Sequence, residues 1–152
     1  MLLKKDIKED LKEALKAGDS VAVLTLRSFI SEIEKKEIEL GLKEEGLSEG
    51  ETEKIALSEL KKRNEAKEQY EKAGRDELAE AEKKEALVLN KYVPEKMSDE
   101  ELENIVNDII KEKAPSGMQG MGEVMKEVMA KVKNRAEGSK VNGLVREKLE
   151  NL

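Results

Sequence analysis

Apolar positions along this chain recur at intervals of three and four, the spacing that gathers side chains on one face of an α-helix, so helices are expected almost throughout. The first is expected over about 3–17, stopped by Gly18, which takes the left-handed C-terminal conformation at little cost. Asp19 or Ser20 then caps a second helix reaching about Leu40, with Val23, Leu26, Ile30 and Ile33 along its apolar face. Residues 41–50 are polar and glycine-containing and read as a loop. Ser48 and Glu51 have the S-x-x-E spacing of a capping box, in which each side chain bonds a backbone amide that otherwise lacks a partner.

A third helix, about 51–73, carries Ala56, Leu60, Arg63, Lys67 and Tyr70 along one line, and Gly74 breaks it. A fourth, about 76–91, presents Leu78, Ala81, Glu85, Val88 and Tyr92; the short link predicts antiparallel packing of the two. Pro94 lacks an amide hydrogen and its ring clashes with a preceding helical turn, which sets a boundary between an N-terminal subdomain, 1–94, and a C-terminal one, 95–152. Ser98 and Glu101 form a second S-x-x-E box, opening a fifth helix to about 112 with Leu102, Ile105, Val106 and Ile109 on one face. After a loop at 115–120, a sixth helix (121–132) is expected to bury Val124, Met125, Val128 and Met129. A seventh (139–149) is expected to bury Val141, Leu144, Val145 and Leu149. The fold class is therefore all-α: an N-terminal helical hairpin or bundle plus a small C-terminal three-helix subdomain.

Composition changes this picture in one respect. Of 152 residues, 42% are charged and only 2% aromatic, which predicts solvated helices around thin cores. Cysteine and histidine are absent, so disulfides, thiolate metal sites, cysteine nucleophiles and the usual neutral-pH general base are excluded. No metal or other cofactor is expected. No apolar run approaches the roughly 20 residues of a membrane span, and the N-terminus lacks the apolar region of a signal peptide, so a cytoplasmic protein is expected.

The net charge of −6 argues against a surface that binds polyanions everywhere. Its distribution is uneven. Between residues 128 and 148 stand Lys131, Lys133, Arg135, Lys140, Arg146 and Lys148 against Glu137 and Glu147, a local balance of +4. Lys131 and Arg135, four apart, share a helical face if the helix reaches that far, and Lys140 opens the next helix. With the first-turn amides of Ser139, Lys140 and Val141 they suit clamped phosphates. The same residues also suit a plainer role, cations complementing a helix dipole while Gly138 and Ser139 turn and cap the chain.

Other features carry less. PSGMQGMG, 115–122, lacks both the G-K-S/T ending and the preceding strand of a phosphate-binding loop, and reads as a glycine-rich hinge. Met118, Met121, Met125 and Met129 read as core rather than as an adaptable groove. Arg27, in an apolar stretch, is expected to make a structural ion pair or to bond a neighbouring helix end. Tyr70 and Tyr92 are expected to anchor the hairpin.

Three blocks in order resemble one family. GMGEVMKEVMAKVKNRAEGSKVNGLVREKL, 120–149, has the G-x-V-M, K-x-K-x-R-A-acid-G and asparagine-containing helix of the GatB/YqeY family. Leu26, Arg27, Ser31 and Ile33 match its L-R-x-x-x-S-x-I pattern. Residues 61–102 resemble its K-R-x-E-A-x-x-x-Y-x-x-A-G-R-x-E-L block and the Y-L-P-x-x-L-S-x-E-E-L that follows. Val93 and Met97 stand where the family favours leucine, Asn134 where it often has glycine, and Glu137 where it has aspartate.

The resemblance implies a free-standing relative of the tRNA-contacting tail of the glutamine-dependent amidotransferase's B subunit. It makes Lys131, Lys133, Arg135, Ser139, Lys140 and Asn142 the candidate nucleic-acid-binding residues and tRNA the expected partner. By association it also implies carbon–nitrogen ligase activity with glutamine as amido-N-donor. That chemistry needs an ATP site, a metal and a glutaminase partner, and the kinase-like site of the amidotransferase lies in a large domain outside the resemblance, so no catalytic residue is expected here. A protein-interaction module without nucleic-acid binding is the other reading, with the acidic N-terminal hairpin as its surface.

Overall fold

The computed structural model describes residues 2–152, and every regular element among them is helical: α1 (Lys4–Ala17), α2 (Ser20–Leu40), α3 (Glu49–Lys72), α4 (Asp76–Asn90), α5 (Asp99–Lys113), a 3-10 turn (Gly117–Gly120), α6 (Met121–Val132) and α7 (Gly138–Glu150). The all-α expectation is met. The chain divides into two compact units, the first ending at Val93 and the second spanning Pro94–Leu152.

Local chemistry sets the helix ends. Leu3 donates its amide to Asp6 Oδ2 at 2.9 Å to start α1, and the Asp19 carboxylate accepts from the Ala22 amide at 3.1 Å to start α2, each satisfying a donor that the helix itself leaves unpaired. Ser48 and Ser98 each accept from the amide three residues on, at 3.2 and 3.1 Å. Only the serine half of each expected capping box forms. The Glu101 side chain turns to Arg135 and the Glu51 side chain to Lys54, because a cation in reach satisfies a carboxylate better than a neutral amide does.

In the first unit α2 lies at the centre of the core. Its Leu26, Phe29 and Ile33 are fully or almost fully buried against Ile7 of α1, Ala56 of α3 and Leu89 of α4. Tyr92, just past α4, packs on Phe29 with ring centroids 5.6 Å apart and donates its hydroxyl to Asp10 of α1 at 2.6 Å. One aromatic side chain, apolar in its body and polar at its tip, thereby ties three helices. Burial, then the Asp10 carboxylate, push the Tyr92 phenol well above its ordinary value, since both disfavour the charged phenolate. Lys4 of α1 meets the buried Glu37 of α2 at 2.7 Å, a second tie between those helices.

In the α3–α4 hairpin the line predicted on α3, Ala56, Leu60, Arg63, Lys67 and Tyr70, is buried or half-buried throughout, whereas α4 is turned from its predicted face, with Leu78 and Ala81 exposed. Thr52, Ala56 and Glu59 are the buried positions of α3, and Ala79, Ala86 and Leu89 those of α4, while Leu78 is 42% exposed. Alanines let the two backbones approach, and the rest of the seam is filled by Arg63 reaching Glu82 and Glu85, each at 3.1 Å. Tyr70 is only half-buried, so Tyr92 alone of the two tyrosines is a buried anchor.

The second unit follows its pattern closely. Leu102, Val106 and Ile109 of α5, Val124, Val128 and Val132 of α6, and Val141, Val145 and Leu149 of α7 form one core, each set at helical spacing. The methionine expectation is met in half: Met121 and Met125 are half-buried against this core, whereas Met129 and Met118 are 38% and 40% exposed, because three valines four residues apart already fill the α6 seam. The loop before α6 closes on itself: a Cβ on Gly120 would lie 2.3 Å from Pro115 Cβ, so glycine is required by contact with the proline ring.

Candidate nucleic-acid interface

The basic joint between α6 and α7 is built by two consecutive left-handed residues. Lys133 has φ 48° and Asn134 φ 67°, reversing the chain within one turn. Asparagine tolerates this conformation better than most side chains, which is why it can stand where the family often has glycine.

Arg135 leaves the turn pointing at the start of α5. Its Nη1 and Nη2 each donate to a Glu101 carboxylate oxygen at 3.1 Å, and its Nε donates to the Glu95 carbonyl at 3.0 Å. The Arg135 carbonyl in turn accepts from the Met97 amide at 2.8 Å. Lys140, near the start of α7, pairs with Asp99, and Lys148, further along the same helix, reaches Glu103 at 2.8 Å. The Lys140 ammonium, by its hydrogen bond and then by its charge, holds the Asp99 carboxyl below its ordinary value, since both favour the ionised form. Three of the six cations in this window are thus turned onto the acidic face of α5.

Lys131 and Lys133 are exposed and make no ion pair among the described residues; the same holds for Arg146. Helix α7 starts at Gly138, one residue earlier than expected, and its N-cap Glu137 provides no capping side chain. Val141 donates its amide to the Glu137 carbonyl at 3.0 Å, so the first-turn amides without such a partner belong to Gly138, Ser139 and Lys140, not to Val141. Ser139 is exposed and Asn142 half-buried. The structure separates the six candidates into two paired cations, two exposed lysines and two polar groups on the first turns of α7.

Elsewhere the placement of arginines departs from the sequence reading. Arg27 is exposed and makes no ion pair among the described residues, contrary to the structural role expected of it; the carboxylate that shares its face of α2, Glu34, pairs with Lys8 of α1 instead. Arg63 has the role instead. No group of three or more metal-ligating side chains is assembled among the described residues. No helix among them is long and apolar enough to cross a membrane.

Residues 4–149 match the Yqey-like protein family. The chain belongs to that family. This Yqey-like chain is 31% identical over 125 residues to Altered inheritance of mitochondria protein 41, mitochondrial, of Clavispora lusitaniae, covering 80% of its own length and 71% of that protein. It is 33% identical over 91 residues to the E subunit of the Glutamyl-tRNA(Gln) amidotransferase of Thermococcus gammatolerans, covering 57% of its own length and 14% of that protein. The amidotransferase relative is an E subunit, where the sequence blocks resemble the tail of the B subunit.

Proposed function

We propose that this Yqey-like protein is a tRNA-associated accessory module that docks through its C-terminal unit. The observation that carries the reading is the pair Lys131 and Lys133, exposed and without an ion pair among the described residues where Arg135 and Lys140 are neutralised, a few residues before the uncapped start of α7 in the chain. Ammonium groups next to first-turn amides suit phosphate oxygens, because the amides point outward and the helix dipole favours negative charge. Ser139 and Asn142 add hydroxyl and amide donors. Such a surface reads the backbone and shape of an RNA rather than its bases. The name of the E-subunit relative, a Glutamyl-tRNA(Gln) amidotransferase, supports a tRNA as the nucleic acid. The reading assigns binding rather than amide transfer to these residues, and a cytoplasmic location goes with it.

Titration of tRNA with the purified protein across a range of salt concentrations tests this. Two phosphates neutralised by Lys131 and Lys133 give a log–log slope of roughly −1.5. If Arg135 and Lys140 exchange their carboxylates for phosphates on docking, the slope steepens to roughly −3. Absence of saturable binding at low salt would overturn the reading and favour a module that binds protein alone.

A further inference from the structure

Of the four positions that match the L-R-x-x-x-S-x-I pattern, core packing accounts for two. Leu26 and Ile33 are buried, whereas Arg27 and Ser31 are exposed on the side of α2 next to α1. Both line a hollow of about 350 Å³ between α1 and α2, whose apolar floor is Leu11, Leu15 and Ile30. Leu15 is 50% exposed there. The charges on the rim are Lys8, Lys12, Arg27 and Glu34. Glu34 lies 3.8 Å from Lys8, and Lys12 lies 3.2 Å from Glu9 of its own helix, which leaves Arg27 as the rim charge without an ion pair among the described residues.

We propose that this groove docks an acidic amphipathic helix of a protein partner, with an apolar side chain seated on Leu11, Leu15 and Ile30 and a carboxylate on Arg27. Charge complementarity fixes the occupant. With Lys8 and Lys12 paired to Glu34 and Glu9, the guanidinium of Arg27 is the charge left over in the lining, although residues 1–93 hold nineteen basic and twenty-three acidic residues, so the groove is a positive site on a negative unit. A basic helix is disfavoured there by the rim, and a wholly apolar one leaves Arg27 desolvated without an acceptor. An open, apolar channel between two helices takes a third helix by its i, i+4 anchors, and a guanidinium offers a carboxylate a planar two-pronged contact. The site lies in the unit that does not contain Lys131 and Lys133, so it stands or fails independently of tRNA docking.

The test is a display library of short helical peptides, selected on the full-length protein and counter-selected on Leu15→Ser/Arg27→Glu. Both positions are exposed, and a thermal melt by circular dichroism checks that the variant remains folded. The expected result is enrichment of peptides with paired apolar residues flanked by Asp or Glu. The tightest peptide should lose roughly tenfold in affinity with Arg27→Glu alone, the effect of about 1.4 kcal/mol. Its amide NMR perturbations should fall on 8–15 and 27–34, and tRNA binding should be unchanged by Arg27→Glu. Enrichment of basic or uncharged peptides, binding indifferent to both substitutions, or perturbations elsewhere would overturn the proposal. So would a concentration-dependent dimer abolished by Arg27→Glu, which would assign the groove to a second copy of the chain.

Discussion

Arg135 and Glu101 meet fork to fork, two guanidinium nitrogens each 3.1 Å from one carboxylate oxygen, across a sequence separation of 34 residues. The contact joins the turn after α6 to the first turn of α5, and the Nε bond to the Glu95 carbonyl extends it to the segment before α5. Exposed ion pairs contribute about 0.2–1 kcal/mol, and two-pronged geometry puts this one at the upper end. A double-mutant cycle with Arg135→Ala and Glu101→Ala is expected to give a coupling of about 1 kcal/mol in urea unfolding. Arg135→Lys should fail to restore it, since an ammonium cannot reproduce the fork. A coupling indistinguishable from zero would mean that the joint holds its shape without this pair.

Tyr92 makes a prediction for the first unit. Tyr92→Phe keeps the ring on Phe29 and removes only the hydroxyl bond to Asp10, so stability should fall by about 1 kcal/mol. Tyr92→Leu should cost about 1 kcal/mol more, through the lost ring contact. Equal melting curves for wild type and Tyr92→Phe would show that the hydroxyl is as well satisfied by water.

Gly120 and Gly122, close neighbours in sequence, should respond to alanine in opposite directions. Gly120→Ala drives a methyl into Pro115 and is expected to destabilise by about 1–3 kcal/mol, as overpacking does. At Gly122, within α6, an added Cβ meets open space. Gly122→Ala should therefore stabilise by about 0.5 kcal/mol through lower backbone entropy in the unfolded chain. Urea midpoints of the two variants check both signs.

The buried α3–α4 seam sets a pH dependence. Burial first, then Glu85 beside it, hold the Glu82 carboxyl above its ordinary value of 4.5, with Arg63 acting in the opposite direction; loss of solvation and a like charge both disfavour the ionised form. The folded protein therefore retains a proton there that the unfolded chain has released. Stability from this group must fall as pH rises from the ordinary carboxylate value through the raised folded one. Glu82→Gln removes the ionisation. The stability of the variant relative to wild type should grow across that mildly acidic window and level off above it. A relative stability that declines with pH would show that Arg63 dominates.

How much of this the sequence discloses depends on what carries each contact. The core of the second unit was legible because valine, leucine and isoleucine dominate it: Val124, Val128 and Val132 repeat every four residues, and packing obeys that repeat. The α3–α4 seam was not. On α4 the small Ala79 and Ala86 are buried beside the half-buried Arg63, Glu82 and Glu85, while the larger Leu78 faces out, an arrangement that ranking positions by apolar size does not find. At the basic joint, the sign and spacing of the cations could be read directly. Which of them α5 would neutralise could not, because Asp99, Glu101 and Glu103 lie 34 to 45 residues away and reach Lys140, Arg135 and Lys148 only through the tertiary fold. Arg27 gave a visible signal, a charge inside an apolar run, but only the groove beside α1 shows that it faces outward.

The division of the joint into cations that hold the fold and cations left for an anion is tested most directly by the affinity of Lys131→Ala/Lys133→Ala for tRNA at low salt. The predicted result is a loss of about tenfold or more, with the urea midpoint unchanged. Wild-type affinity in that variant would contradict the account, and would leave the two lysines as solvated charges at the end of α6.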